Sequence, residues 1–172
     1  VPEYQDLLHL QQPGDGAYYL ALFPRPQTEA VPAFSALADG KIIKVAGPFG
    51  TDYGLLSEVE TSAAAEDLSF RATAAAVQVR ASGTMLSLGA PGEVRTKAHG
   101  LLAPSAAALQ ISNGALRLTL PSDNSGGKFT ILAPGDWHLK ERKSGVKMIS
   151  ADGRHTLTLP RGTTRAILVK GK

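Results

Sequence analysis

Turn-forming residues recur so often between Gly127 and Val169 that no helix of ordinary length fits between them. Pro134-Gly135-Asp136, Ser144-Gly145, Asp152-Gly153 and Arg161-Gly162 divide this stretch into the short runs KFTIL, WHLKE, VKMIS, RHTLTL and RAILV. Each run has strand length and strand composition. In His155-Thr156-Leu157-Thr158-Leu159 the leucines alternate with threonines, which puts Leu157 and Leu159 on one face and the threonines on the other. Asp152-Gly153 predicts a two-residue type I′ hairpin, because that turn requires positive φ at both central positions. The stretch therefore reads as an antiparallel meander.

The same rhythm runs through the rest of the chain. Asp6 to Gln11 and Ala17 to Phe23 (AYYLALF) are strand candidates. The second is apolar on both faces and reads as a central, covered strand. Pro24-Arg25-Pro26 stops it, since proline cannot donate to a ladder. Phe34 to Leu37, Lys41 to Val45 and Thr51 to Ser57 follow, with a bulge expected at Gly54. Glu58 to Asp67 reads as a loop with at most one helical turn. Its Ala63-Ala64-Ala65 favours helix but is too short to hold one. Leu68 to Thr73, Ala76 to Arg80, Met85 to Leu88 and Glu93 to Lys97 suggest a second meander. Leu101 to Ser105 fits no single pattern. Asn113-Gly114 predicts another type I′ hairpin, between Ala108–Ser112 and Ala115–Leu120. Pro121 to Gly126 reads as a flexible polar loop. Strands spaced by about 8–12 residues predict an all-β antiparallel β-sandwich, jelly-roll-like or two-layered, with little or no helix. One domain over 1–172 is expected, with a seam between sheets or subdomains near 58–67.

Composition narrows the function classes. The chain has 172 residues and no cysteine, so thiolate chemistry and disulfides are excluded. No apolar run approaches the ~18 residues of a membrane helix. A net charge of +3, spread along the chain, lacks the concentrated stripe of a nucleic-acid binder. The local basic clusters, Lys140-Glu141-Arg142-Lys143 and Lys170-Gly171-Lys172, read as a solvated turn and a tail. Gly-x-Ser-x-Gly, the P-loop and the dinucleotide fingerprint are absent. No cofactor is expected. None of His9, His99, His138 and His155 has metal-ligand spacing. His9 and His155 are expected on solvent faces of strands, and His99 in a loop open to acid–base work.

Aromatic residues offer the other lead, because a sugar ring stacks its C–H face on Trp or Tyr. Trp137, the single tryptophan, follows the turn Pro134-Gly135-Asp136. It serves either as core filling or as a ligand platform. In the second role Asp136, His138 and Lys140 are its polar neighbours, and Tyr53 is a second stacking ring. A Tyr/His pair is also the chemistry by which polysaccharide lyases remove the proton α to a uronate carboxyl.

AYYLALFPRP, GKIIKVAGPFGTDYGLLS, TMLSLGAPGEV and TLTLPRGTTRAILV together resemble the all-β region that follows the catalytic part of heparinase II/III-type polysaccharide lyases. The catalytic Tyr and His of that family belong largely to a helical toroid and its neighbouring sandwich. This chain has no toroid pattern, so no catalytic residue carries over. The resemblance implies a non-catalytic accessory module of a bacterial carbohydrate-active enzyme, secreted or periplasmic. Its partners would be polysaccharide, with a mild preference for acidic polymers, or a catalytic domain of the same parent chain. Nucleic acid and membrane are not expected partners. The start at Val-Pro-Glu-Tyr reads as a fragment of a longer protein. Two alternatives stand beside this one. A small lyase or hydrolase on a jelly-roll scaffold would gather a histidine and a Tyr or carboxylate in one concave site. A purely structural interface domain would expose a large apolar patch.

Overall fold

The computed structural model describes residues 28–141 and 144–171. The strand candidates at Asp6–Gln11 and Ala17–Phe23, with His9, Tyr18 and Tyr19, lie outside the described residues, as do Arg142, Lys143 and Lys172. The described residues form fourteen strands, in order: β1 (Ala33–Leu37), β2 (Ile42–Gly47), β3 (Gly50–Ala65), β4 (Leu68–Arg80), β5 (Gly83–Leu88), β6 (Gly92–Arg95), β7 (Gly100–Ala103), β8 (Ala107–Ser112), β9 (Ala115–Thr119), β10 (Gly127–Leu132), β11 (Trp137–Leu139), β12 (Lys147–Ala151), β13 (Arg154–Leu159) and β14 (Arg165–Lys170). Among the described residues there is no helix. All pairings are antiparallel, so the expected all-β antiparallel class is the one the chain adopts.

The β3–β4 hairpin organises the two layers. β4 pairs along one edge with β3 and along the other with two different strands. Its second half, Ala75–Arg80, takes β5, and its first part, Ser69–Arg71, takes β6. From β5 one wing runs through β8, β9 and β14 to β11. From β6 the other runs through β7, β10 and β13 to β12. The two wings meet again where β11 approaches β12, which makes the sheet nearly barrel-shaped. Leu86, Leu109, Leu116 and Leu168 from the first wing and Val94, Leu101, Ile131 and Leu157 from the second are fully buried in one core. Each such side chain removed from water contributes about 1.5–3 kcal/mol.

A corner in β3 makes the turn from one layer to the other. Leu56 pairs with Ala74 and Thr61 with Ala72, so residues 57–60 stand opposite Thr73 alone. Ser57 and Thr61 share a hydroxyl hydrogen bond of 2.9 Å across this bulge, and Thr61 Oγ1 also donates to Val59 O. A straight strand would carry Glu66 about 40 Å from Tyr53 at ~3.3 Å per residue. Instead Tyr53 Oη lies 2.7 Å from Glu66 Oε2. The hairpin has folded back on itself at the bulge, as bulged strands bend.

Several expectations need correction. The run Glu58–Ala65 is strand, not loop or helical turn, because a register partner on β4 satisfies its backbone from Thr61 onward. Gly54 sits in register with Ile43 and Ala76, and the bulge falls after Leu56. The last third is not a sequential meander. β10 pairs with β13 and β7, and β11 pairs with β14, so only β12–β13 is a local hairpin there. Likewise β5 and β6 each pair with β4 and not with each other. Asp152 and Gly153 do have φ of 49° and 72°, as a type I′ turn requires. Asn113-Gly114 joins β8 to β9, but only Gly114 has positive φ, so that turn is not type I′. The Pro121–Gly126 loop is tied down by Asn124. That buried side chain donates to Pro121 O and Thr163 O and accepts from Gly126 N at 2.8–2.9 Å.

Candidate functional site

His155 and Trp137 belong to the interior. His155 is 1% exposed and shares its face of β13 with Leu157 and Leu159, which overturns the solvent-facing expectation. Its Nε2 lies 3.1 Å from Ala133 O and its Nδ1 3.0 Å from Ser150 Oγ. A carbonyl only accepts, so Nε2 carries a proton and donates it to Ala133 O, while Nδ1 is hydrogen-bonded to the Ser150 hydroxyl. Burial of the ring is thus compensated on both nitrogens. Trp137 is 6% exposed and donates its indole N–H to Pro134 O at 3.1 Å. A ring this covered has no free face for a sugar to stack on, so the ligand-platform reading of Trp137 gives way to core filling. His138 is exposed on the opposite side of β11, and Asp136 and Lys140 are also exposed. Alternation along the strand thus separates His138 from Trp137.

Tyr53 has a different setting. It is half-buried on β3, opposite Lys44 of β2 and Val77 of β4. Glu66 reaches it from the tip of the β3–β4 hairpin, where a φ of 53° marks a left-handed turn residue. Glu66 Oε1 is 2.6 Å from Lys44 Nζ, while Oε2 accepts from the Tyr53 hydroxyl. The Lys44 ammonium also sits 5.5 Å from the Tyr53 ring centroid. This triad latches the hairpin tip of one layer to β2 and β3 of the other. Its proton affinities follow from the contacts. The Lys44 and Tyr53 hydrogen bonds hold the Glu66 carboxyl below its usual value. The bond to Glu66 raises the Lys44 ammonium, and burial followed by Glu66 raises the Tyr53 phenol.

His99 borders the same hollow. The turn between β6 and β7 is closed by Thr96 N donating to His99 O at 2.7 Å, and by His99 N donating to Thr96 Oγ1 at 3.0 Å. Half-burial lowers the imidazole's proton affinity, so it is neutral at pH 7. Tyr53, Glu66, Thr84, Lys97 and His99 line a hollow of about 410 Å³. Thr84 and His99 also line a neighbouring hollow of about 270 Å³ that extends to Asn113 and Lys170 and reaches the edge of Trp137. Together they form a cleft across one end of the layered sheet. The cleft offers an aromatic ring, an ionised carboxylate, an ammonium group, a neutral imidazole and a hydroxyl. Glu66, Asp67 and Lys97 line the first hollow and Lys170 the second, so the formal charges lining the cleft balance.

Tyr53 and His99 were each readable as candidates, and the fold brings them to one hollow. Lys44, Glu66 and Thr84 were not singled out. Nothing local in the sequence marks them, because the corner at 57–60 is what returns Glu66 to Tyr53. Among the described residues, no group of three or more His, Asp or Glu gathers as a metal site. An apolar hollow of about 340 Å³ also lies on the outer face of β2–β4. It is floored by Gly54 and walled by Ile43, Val45 and Leu56, with Phe34 of β1 on the same face. Leu56 and Phe34 are exposed there. No protein-family model, curated protein or solved structure matches the chain.

Proposed function

We propose that the protein is a saccharide-binding β-module of the accessory kind that serves carbohydrate-active enzymes, and that the end cleft is its binding site. One observation carries the reading: the Tyr53 ring, Glu66 (held by Lys44), Thr84 and His99 come from separate strands and turns to line a single concave surface. Rings flanked by fixed hydrogen-bonding groups suit sugars, which present an apolar C–H face and a rim of hydroxyls. The latch pre-orders Tyr53 and Glu66 before a ligand arrives, which lowers the entropy cost of binding. Titration calorimetry with a panel of neutral and acidic oligosaccharides tests it. The expected result is binding of at least one oligosaccharide, weakened in Tyr53→Ala and in His99→Ala. Absence of binding across the panel, or unchanged binding in both variants, refutes it.

A second reading, elimination chemistry on a uronate, is favoured by one feature. Neutral His99 is a proton acceptor, and the Tyr53 phenol, kept protonated by burial and by Glu66, is a donor lining the same hollow. Release of unsaturated uronate from an acidic polysaccharide, lost in His99→Ala, would establish this reading; no unsaturated product after prolonged incubation would remove it.

A further inference from the structure

The outer face of the second layer carries a different arrangement. Ser62, Arg71 and Glu93 are register partners across β3, β4 and β6, and Ala64, Ser69 and Arg95 form the next row. These residues line a hollow of about 500 Å³. The side chains of Ser62, Ala64 and Ser69 are small, so they form its floor, while Arg71, Glu93 and Arg95 rise around it. Glu93 is shared. Its Oε2 lies 3.5 Å from Arg71 Nη2, and its Oε1 accepts from Arg95 Nε. One carboxylate therefore neutralises one of two guanidinium charges. Each guanidinium has five N–H donors in a planar fork, and the bonds to Glu93 leave several directed elsewhere. The arginine side chains remain about half exposed, at 53% and 47%, whereas Glu93 is 18% exposed. The acid is held down and the bases face outward.

The stem of Arg95 is also given room. An added Cβ at Gly100 would lie 3.2 Å from Arg95 Cγ and 3.0 Å from Leu132 Cδ1. Glycine at this position lets the arginine lie against β7 and turn its head toward Glu93.

We infer that this hollow is an oxyanion site that binds the carboxylate or sulfate of an acidic saccharide between Arg71 and Arg95, with the Ser62 and Ser69 hydroxyls beneath it. Arginine pairs offer the bidentate, charge-assisted bonds that suit such groups. Glu93 orients both guanidiniums and competes with the ligand for them. The site supplies the acidic-ligand selectivity that the charge-balanced end cleft lacks. It extends the saccharide-binding reading but does not require the cleft to be occupied.

Calorimetric titration of the intact protein with three oligosaccharides tests the site: oligogalacturonate (carboxylate only), sulfated dextran (sulfate only) and unmodified dextran. Binding of at least one acidic oligosaccharide is expected, identifying the oxyanion by which arm responds. Arg71→Gln and Arg95→Gln should each weaken it by about tenfold or more, as loss of a charge-assisted bond does. Glu93→Gln should strengthen it, a change that a merely structural ion pair would not produce. Circular dichroism of each variant shows that the fold is retained, which half-exposed arginines make the expectation. No binding of either acidic oligosaccharide, binding unchanged in both arginine variants, or weaker binding in Glu93→Gln overturns the site. Tyr53→Ala separates the two proposals. Acidic binding that survives Tyr53→Ala but falls in Arg71→Gln leaves this site standing and removes the cleft as its holder; the reverse pattern overturns this site.

Discussion

Replacing His155 with leucine isolates the cost of one buried polar contact. The imidazole is enclosed by β10, β12 and β13, and Ala133, whose carbonyl it satisfies, is 2% exposed. Leucine approximates the ring's bulk but cannot donate to Ala133 O. A buried acceptor left unpaired costs about 1–3 kcal/mol. For a chain of this size each kcal/mol moves the melting temperature by about 2–4 °C, so His155→Leu should melt about 2–12 °C below wild type. Ser150→Ala removes only the hydroxyl hydrogen-bonded to Nδ1, from an exposed residue. It should cost about 0.5–1.5 kcal/mol and rank between wild type and His155→Leu. Thermal melts by circular dichroism at constant pH provide the comparison. A His155→Leu variant that melts at or above wild type would refute the assignment of His155 to hydrogen-bonded core.

Three further outcomes follow from particular contacts. Asn124→Ala loses three hydrogen bonds that pin the 121–126 loop, and should destabilise by about 1.5–4.5 kcal/mol in urea titration. Gly83→Ala should be among the most damaging single changes, because its φ is +144° and an added Cβ would lie 2.2 Å from Ile111 O; soluble yield and melting temperature should both fall. The latch should respond to pH in a defined direction. Glu66 has a folded pKa below its unfolded value, so its stabilisation is present above the ordinary carboxylate range and is lost as pH falls through the folded pKa. Lys44 and Tyr53 have raised values, so their contributions are complete below the unfolded pKa and are lost as pH rises through the folded one. In Glu66→Gln the Tyr53 phenol, followed by carbon-13 NMR, should titrate at lower pH than in wild type.

Local chemistry was legible in the sequence and long-range pairing was not. Asp152-Gly153 announced its turn because only a few residue types tolerate positive φ in succession. RHTLTL announced its faces by alternation, yet the polarity of His155 masked its place with the leucines. The segment 58–65 hid a strand, because Glu and Ala are poor strand formers and tertiary pairing with β4 overrides that preference. The meander reading failed for a related reason. β10 and β13 are separated by two strands in sequence, and turn residues say where a strand ends, not which strand it joins. Tyr53 and His99 were visible as chemistry-bearing types, but their shared hollow depends on the corner at 57–60. The Arg71–Glu93–Arg95 cluster was hidden more completely, since each residue alone reads as the outward half of an ordinary alternating strand.

The most direct measurement of the central claim is a nitrogen-15 NMR titration of the protein with neutral and acidic oligosaccharides. The end cleft as saccharide site predicts that at least one oligosaccharide shifts the amides of Glu66, Thr84 and His99 together, saturably, and that Tyr53→Ala abolishes those shifts. Amides of these three residues that stay unmoved by every oligosaccharide would contradict it.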